Sequence, residues 1–140
     1  MSAAPAAAVV YAEEPGLATA EFIDVLRRST LAERRPVGEP DRIARMIAAA
    51  DVLLTARSDG RLIGVSRCLT DHAYCAYCSD LAVDQAWQGK GVGQELLRRS
   101  HAACGEATAF ILLSAPGAMT FYPRAGMRQA DNCFIYPRKS

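Results

Sequence analysis

Between Leu81 and Cys104 the chain passes from a strand-like run, through Gln88-Gly-Lys-Gly-Val-Gly93, into its most regular helical pattern. Three glycines at alternate positions ahead of a helix tightly constrain what such a segment can be. The first N–H groups of a helix have no carbonyl partners, and the aligned peptide dipoles add partial positive charge there. Glycine at 89, 91 and 93 places no Cβ between the main chain and a bulky anion, and Lys90 adds a cation at the rim. The segment therefore reads as a phosphate cradle in a strand–loop–helix unit. A dinucleotide fold needs G-x-G-x-x-G and an acidic residue about twenty positions on, where this chain is apolar around Leu113. The triphosphate pattern G-x-x-x-x-G-K-[ST] is absent.

Periodicity supplies the frame around that unit. Val9-Val10-Tyr11 predicts a short first strand. Gly16 to Ser29 places Leu17, Phe22, Val25 and Leu26 on one helical face, with Glu21, Asp24, Arg27 and Arg28 opposite. After a break at Pro36, Gly38 and Pro40, Asp41 is expected to cap a helix carrying Ile43, Met46 and Ile47. Asp51–Arg57 and Arg61–Thr70 read as strands joined at Ser58-Asp59-Gly60. Tyr74–Val83, a third strand of about ten residues, is long enough to suggest a bulge or bend. Gly91–Cys104 is the clearest helix, and the apolar run Ala109–Leu113 predicts a strand covered on both faces. Pro116 opens a short helix that Gly126 ends. Met127–Arg138 offers one or two more strands, with a turn at Asp131-Asn132. The order β-α-α-β-β-β-α-β-α-β(-β) predicts one α/β (α+β) domain over residues 1–140. Its mixed, mostly antiparallel sheet is expected to have six to seven strands flanked by about four helices.

A chain that is 51% hydrophobic and 22% charged has globular composition. A net charge of +1 creates no overall field, so neither nucleic acid nor a membrane surface is an expected partner. The arginines at 27, 28, 34 and 35 read first as a solvated helix face. Cys75-Ala-Tyr-Cys78 has the spacing of a metal or redox pair. A zinc site needs a second ligand pair and a redox pair a helix start, so strand thiols and no metal are expected. Met1–Val10 is Ala-rich without a basic start, unlike a secretion signal. With five cysteines, an odd number, a reducing cytoplasm is the expected location.

Gln88, Gly91 and Gly93 fit the pattern Q/R-x-x-G-x-G/A, which resembles the GCN5-related N-acetyltransferase (GNAT) superfamily. Asp80-Leu-Ala-Val-Asp84 is similar to that family's strand before the loop, and Gln94-Glu-Leu-Leu97 to the helix after it. Ala118-Met-Thr-Phe121-Tyr122-Pro-Arg-Ala-Gly126-Met127 resembles its A-x-x-F-Y-x-x-x-G-F signature. The resemblance runs from about Val52 to the C-terminus. It departs at Ala115, where many members carry an Asn that contacts the pantetheine arm, and Ser114 is the available substitute. Met127 stands in place of the usual Phe.

The resemblance implies acetyl-CoA as cosubstrate, without a metal, lying where the strands Tyr74–Val83 and Ala109–Leu113 splay apart. Leu81, Ala82 and Val83 would bind the pantetheine arm, Leu81 and Val83 pairing with it through backbone groups, and one N–H in this region would polarise the thioester carbonyl. Gln88, Gly89, Lys90, Gly91, Val92, Gly93 and Gln94 would hold the pyrophosphate, and Ser114 and Phe121 complete the cofactor-binding set. Tyr122 takes the position of the general acid that protonates the leaving thiolate, or else is a core aromatic. Asp80 is either the general base or a carboxylate that bonds backbone at a strand bend. Asp71 and His72 lie in the turn before that strand, and His101 is expected at the surface. Tyr74, Tyr77 and Trp87 either line an acceptor pocket or pack across strands. Arg34-Arg35 would suit an acidic group on the acceptor. The implied activity is acetyl transfer to a primary amine of a small molecule or peptide by direct attack on the thioester. A CoA-binding sensor without turnover is the alternative, and an unrelated α/β nucleotide binder a third reading. Cys133-Phe-Ile-Tyr136 either pairs across a two-fold axis, giving a homodimer, or closes the sheet.

Overall fold

The computed structural model of the protein describes residues 8–139. Five strands form one sheet in chain order: β1 (Val10–Glu13), β2 (Val52–Ser58), β3 (Arg61–Thr70), β4 (Cys75–Val83) and β5 (Ala109–Leu112). The first three pairings are antiparallel and β4–β5 is parallel. Parallel neighbours need a crossover, which α3 (Val92–Cys104) provides. Asp59 and Gly60 both have positive φ, the geometry of a two-residue turn whose twist matches the strands it joins.

Period-two alternation along β2 divides the core. Leu53 faces α1 (Thr19–Ser29) and α2 (Pro40–Ala49) with Leu62, Val65 and Ala82, against Phe22, Val25, Leu26 and Ile43. Val52, Leu54 and Ala56 face the other way with Ile63 and Cys68, against Val92, Leu96 and Cys104 of α3. Phe22, Val25 and Leu26 are fully buried, as their helical spacing predicts, each burial stabilising by about 1.5–3 kcal/mol. Arginines cross the seams between layers. Arg28 of α1 bonds Asp84 and the Leu62 carbonyl, while Arg57 of β2 bonds Glu14 and Glu21. The expectation of a solvated arginine face therefore does not hold at Arg28 or Arg35, whose side chains are only 18% exposed.

Several expectations need correction. The second helix starts at Pro40 with no side-chain cap, and Asp41 sits in its first turn, where it favours the helix dipole instead. The strand expected to be covered on both faces, β5, is covered on one. Ile111 and Leu113 are about half exposed, because the core beneath α1 and α2 draws nothing from β5. The sheet has five strands, fewer than the expected six to seven. After α4 (Phe121–Arg124) residues 127–139 form neither helix nor strand. A strand is stabilised by packing its side chains on a neighbour, and Phe134 and Tyr136 stay almost fully exposed.

Glu14 is held below the usual carboxylate pKa by its bond from Arg57, assisted by Thr55 and opposed by partial burial. Its folded-state pKa is thus lower than its unfolded one, so its contribution is complete above about pH 4.3 and fades as pH falls. Glu14→Gln is expected to lower stability in urea by about 1 kcal/mol at pH 7. The gap from wild type should narrow toward pH 3; a gap that is constant with pH means the ion pair contributes nothing.

Candidate functional site

The site begins where a strand register slips. Arg67 of β3 pairs with Asp80 and Cys68 with Cys78, leaving Ser79 as an extra residue in β4. The sequence suggested a bulge somewhere in this strand, and the structure places it at Ser79. Pairing of β4 with β5 covers only Cys75–Cys78 against Ala109–Leu112, so it stops at the same point. Beyond it, Ser79 to Val83 has no strand partner on that edge among the described residues.

A bulge displaces backbone groups that must find other partners. Here side chains supply them. Arg35, in the connection between α1 and α2, donates from Nη2 to the Ser79 carbonyl at 2.6 Å. The Cys78 thiol donates to the Asp80 carbonyl at 3.4 Å. The Asp80 carboxylate, in a residue only 1% exposed, accepts Arg35 Nε on one oxygen and Arg67 Nε on the other. Arg67 also donates to Ser79 Oγ at 2.9 Å. Two cations on one buried anion leave a net positive charge at the fork.

The loop after β4 is fixed just as specifically. Asp84 accepts the Ala86 N–H and Arg28, which outweigh burial and hold its carboxyl below the ordinary range. Gln88 reaches back from Nε2 to the Val83 carbonyl at 3.1 Å. Lys90 lies over the Trp87 ring at 5.1 Å. Gly91 has φ 85° and accepts the first bond of α3 from the Glu95 N–H, so the N–H groups of Val92, Gly93 and Gln94 precede the ladder. A Cβ on Gly93 would lie 3.1 Å from Phe121 Cζ, so the missing side chain lets α4 close on α3.

Tyr122, on α4, is half-buried, and its hydroxyl pKa is pushed up to about 12. Burial is the main cause; Cys78 raises it further and the positive charge of Arg35 opposes both. Behind β4 lies a polar pocket in an apolar layer, with Ser100 donating to Ser66 at 2.7 Å and Ser66 lying 3.7 Å from the Cys78 sulfur.

The other sequence candidates scatter. Ser114 donates to the Ala115 carbonyl at 2.8 Å. Asp71 accepts three N–H groups, from Ala73, Tyr74 and Cys75, and so serves its own turn; those bonds hold its carboxyl below the usual range. His72 follows with φ 58°. His101, expected at the surface, is half-buried against Phe110 and the Thr108 carbonyl. Tyr74 is 81% exposed, while Tyr77 pairs with Leu69 and Ile111. Arg35, expected to be available to an acceptor, is already engaged with Asp80 and Ser79. Cys75 is exposed and Cys78 buried, all five cysteines are free, and no metal-binding cluster occurs among the described residues. Arg67 was not singled out from the sequence. An arginine inside the run Val65-Ser66-Arg67-Cys68-Leu69 was the available signal, since a charge within a buried strand needs a partner.

A family model described as acetyltransferase (GNAT) domain matches residues 25–135. A provisionally assigned acetyltransferase from Deinococcus radiodurans R1 has 26% identity and a TM-score of 0.74, over 97% of this chain and 93% of its own. A GNAT family acetyltransferase from Streptococcus pneumoniae TIGR4 superposes at TM-score 0.72 with 14% identity, over 95% of this chain and 100% of its own. An aminoglycoside acetyltransferase from an uncultured soil metagenomic sample does so at 0.70 with 17% identity, over 94% and 97%. No protein of curated function matches the sequence.

Gly91→Ala imposes a left-handed conformation on a residue with a Cβ and is expected to cost about 1 kcal/mol in urea unfolding. An unchanged midpoint means the loop relaxes out of this geometry.

Proposed function

The chain belongs to the GNAT acetyltransferase domain family, and from that premise we propose that it transfers an acetyl group from acetyl-CoA to a primary amine of a small molecule or peptide. The observation that carries this reading is the end of β4–β5 pairing at the Ser79 bulge, in the strand that leads into the glycine loop. The residues present fit the cosubstrate. Open space surrounds Gly89 and Gly91, three helix N–H groups precede the ladder, and Lys90 stands at the rim, a donor set suited to a diphosphate. Gln88, Gly89, Lys90, Gly91, Val92, Gly93 and Gln94 would hold it, with Leu81, Ala82 and Val83 offering main-chain groups to the pantetheine arm. Ser114 and Phe121 border the same space in this reading. When bound, acetyl-CoA supplies an activated acetyl group as a thioester.

The chain's own groups then manage protons. Transfer forms a C–N bond and breaks a C–S bond; the nitrogen loses one proton and the sulfur gains one. Tyr122 Oη, protonated at neutral pH, is the donor assigned to the sulfur. Asp80 is less suited to accept the amine's proton, because both its oxygens are engaged by arginines in a buried setting. Its role here is to position the bulge, and the amine reacts unprotonated, releasing its proton to water. Five free thiols suit a reducing compartment, and no helix among the described residues is long and apolar enough to cross a membrane.

Acetyl-CoA at one hundred times its dissociation constant should add about 2.7 kcal/mol of stability and raise the melting temperature by several degrees, with ATP and NAD inert. Absence of a shift at saturation removes the reading. With an amine that supports thiol release, Tyr122→Phe is expected to reduce kcat by about 10²-fold or more with cofactor affinity retained. A turnover rate unchanged by that substitution excludes Tyr122 as the acid.

A further inference from the structure

The braced bulge offers a role for Arg35 that the sequence did not suggest. Arg35 stands in the connection between the two N-terminal helices, 44 residues before Ser79. Its guanidinium uses all three nitrogens: Nε on Asp80, Nη2 on the Ser79 carbonyl and Nη1 on the Arg34 carbonyl. Arg67 holds the same carboxylate from within the sheet and the same serine through Oγ. Asp80 would have a guanidinium partner from Arg67 alone, so charge compensation does not require Arg35. What Arg35 adds is a grip on the extra residue's main-chain carbonyl. That peptide plane decides where the neighbouring N–H groups of β4 point, at the place where β5 leaves the strand uncovered.

We propose that Arg35 is a positioning residue for acetyl transfer: by holding the Ser79 carbonyl and Asp80 together it aims the β4 main chain at the thioester carbonyl. The inference rests on the transferase reading. It acts through the backbone of Ser79 and Asp80, with no contact from Arg35 to either substrate. The same grip ties the loop between α1 and α2 to the cofactor strand, so displacement of that loop would reach the reacting carbonyl.

Binding and spectroscopy test the proposal without a known acceptor. Acetyl-CoA labelled with carbon-13 at the acetyl carbonyl is bound to the wild type, Arg35→Gln and Arg35→Lys, and the carbonyl stretch is read by isotope-edited infrared difference. In the wild type the band should move to lower frequency than in free acetyl-CoA, reporting a polarised carbonyl. Arg35→Gln should lose most of that shift while affinity by calorimetry stays within about tenfold, because the loop contacts are untouched. Arg35→Lys keeps the pair with Asp80 but lacks the planar fork that also reaches Ser79, and its band should lie between the two. A wild-type shift that survives intact in Arg35→Gln overturns the proposal and leaves the transferase reading standing. Should Arg35→Gln fail to fold, an unaltered band in Arg35→Lys overturns it equally. Failure of the wild type to bind acetyl-CoA is the separate result that defeats the transferase reading itself.

Discussion

A buried carboxylate between two guanidiniums organises this protein. Asp80 lies in β4, Arg67 beside it in β3 and Arg35 in the helical layer above. Ionised groups removed from water are costly unless matched in charge and geometry. Here both carboxylate oxygens are used, and no buried side-chain polar atom among the described residues lacks a partner. The cluster occupies the point where the β3–β4 register slips. Without partners for its displaced carbonyls a bulge in a central strand would be costly, and Arg35 and Cys78 supply them from opposite faces.

The rest of the site follows from that irregularity. The bulge coincides with the end of β4–β5 pairing, and beyond it β4 has no strand partner on that edge among the described residues. The strand runs on through Val83 into the Asp84 turn, and α3 starts at Val92 after Gly91 in the left-handed conformation. Gly93 lets Phe121 approach, which sets α4 against the start of α3. The arginines at 28, 35 and 57 repeat one device, each tying an N-terminal element to the sheet through a carboxylate.

Much of this was legible beforehand because it depends on local chemistry. Phe22, Val25 and Leu26 announced a buried helix face through their spacing. Asp59-Gly60 specified a turn needing two positive φ angles, and β3 occupies the expected range of Arg61–Thr70. Other elements were misread where the deciding contact lies far away in sequence. Asp41 looked like a cap beside Pro40, yet proline itself opens that helix. Ala109–Leu113 is apolar enough for two covered faces, but only α3 reaches it. Phe134, Ile135 and Tyr136 have strand chemistry, while a strand also needs a neighbour to pack on.

By itself the sequence determined the strand–loop–helix unit and the buried face of the first helix. These are short-range properties: glycine's missing Cβ, the unpaired N–H groups of a helix start, and side-chain periods of two and 3.6 residues. Only the tertiary structure decided that Arg35 and Arg67 meet on Asp80, that the bulge sits at Ser79, and that Phe121 closes on Gly93. A charge buried in a strand shows that a partner must exist, but which of sixteen cationic side chains serves depends on how separated segments pack.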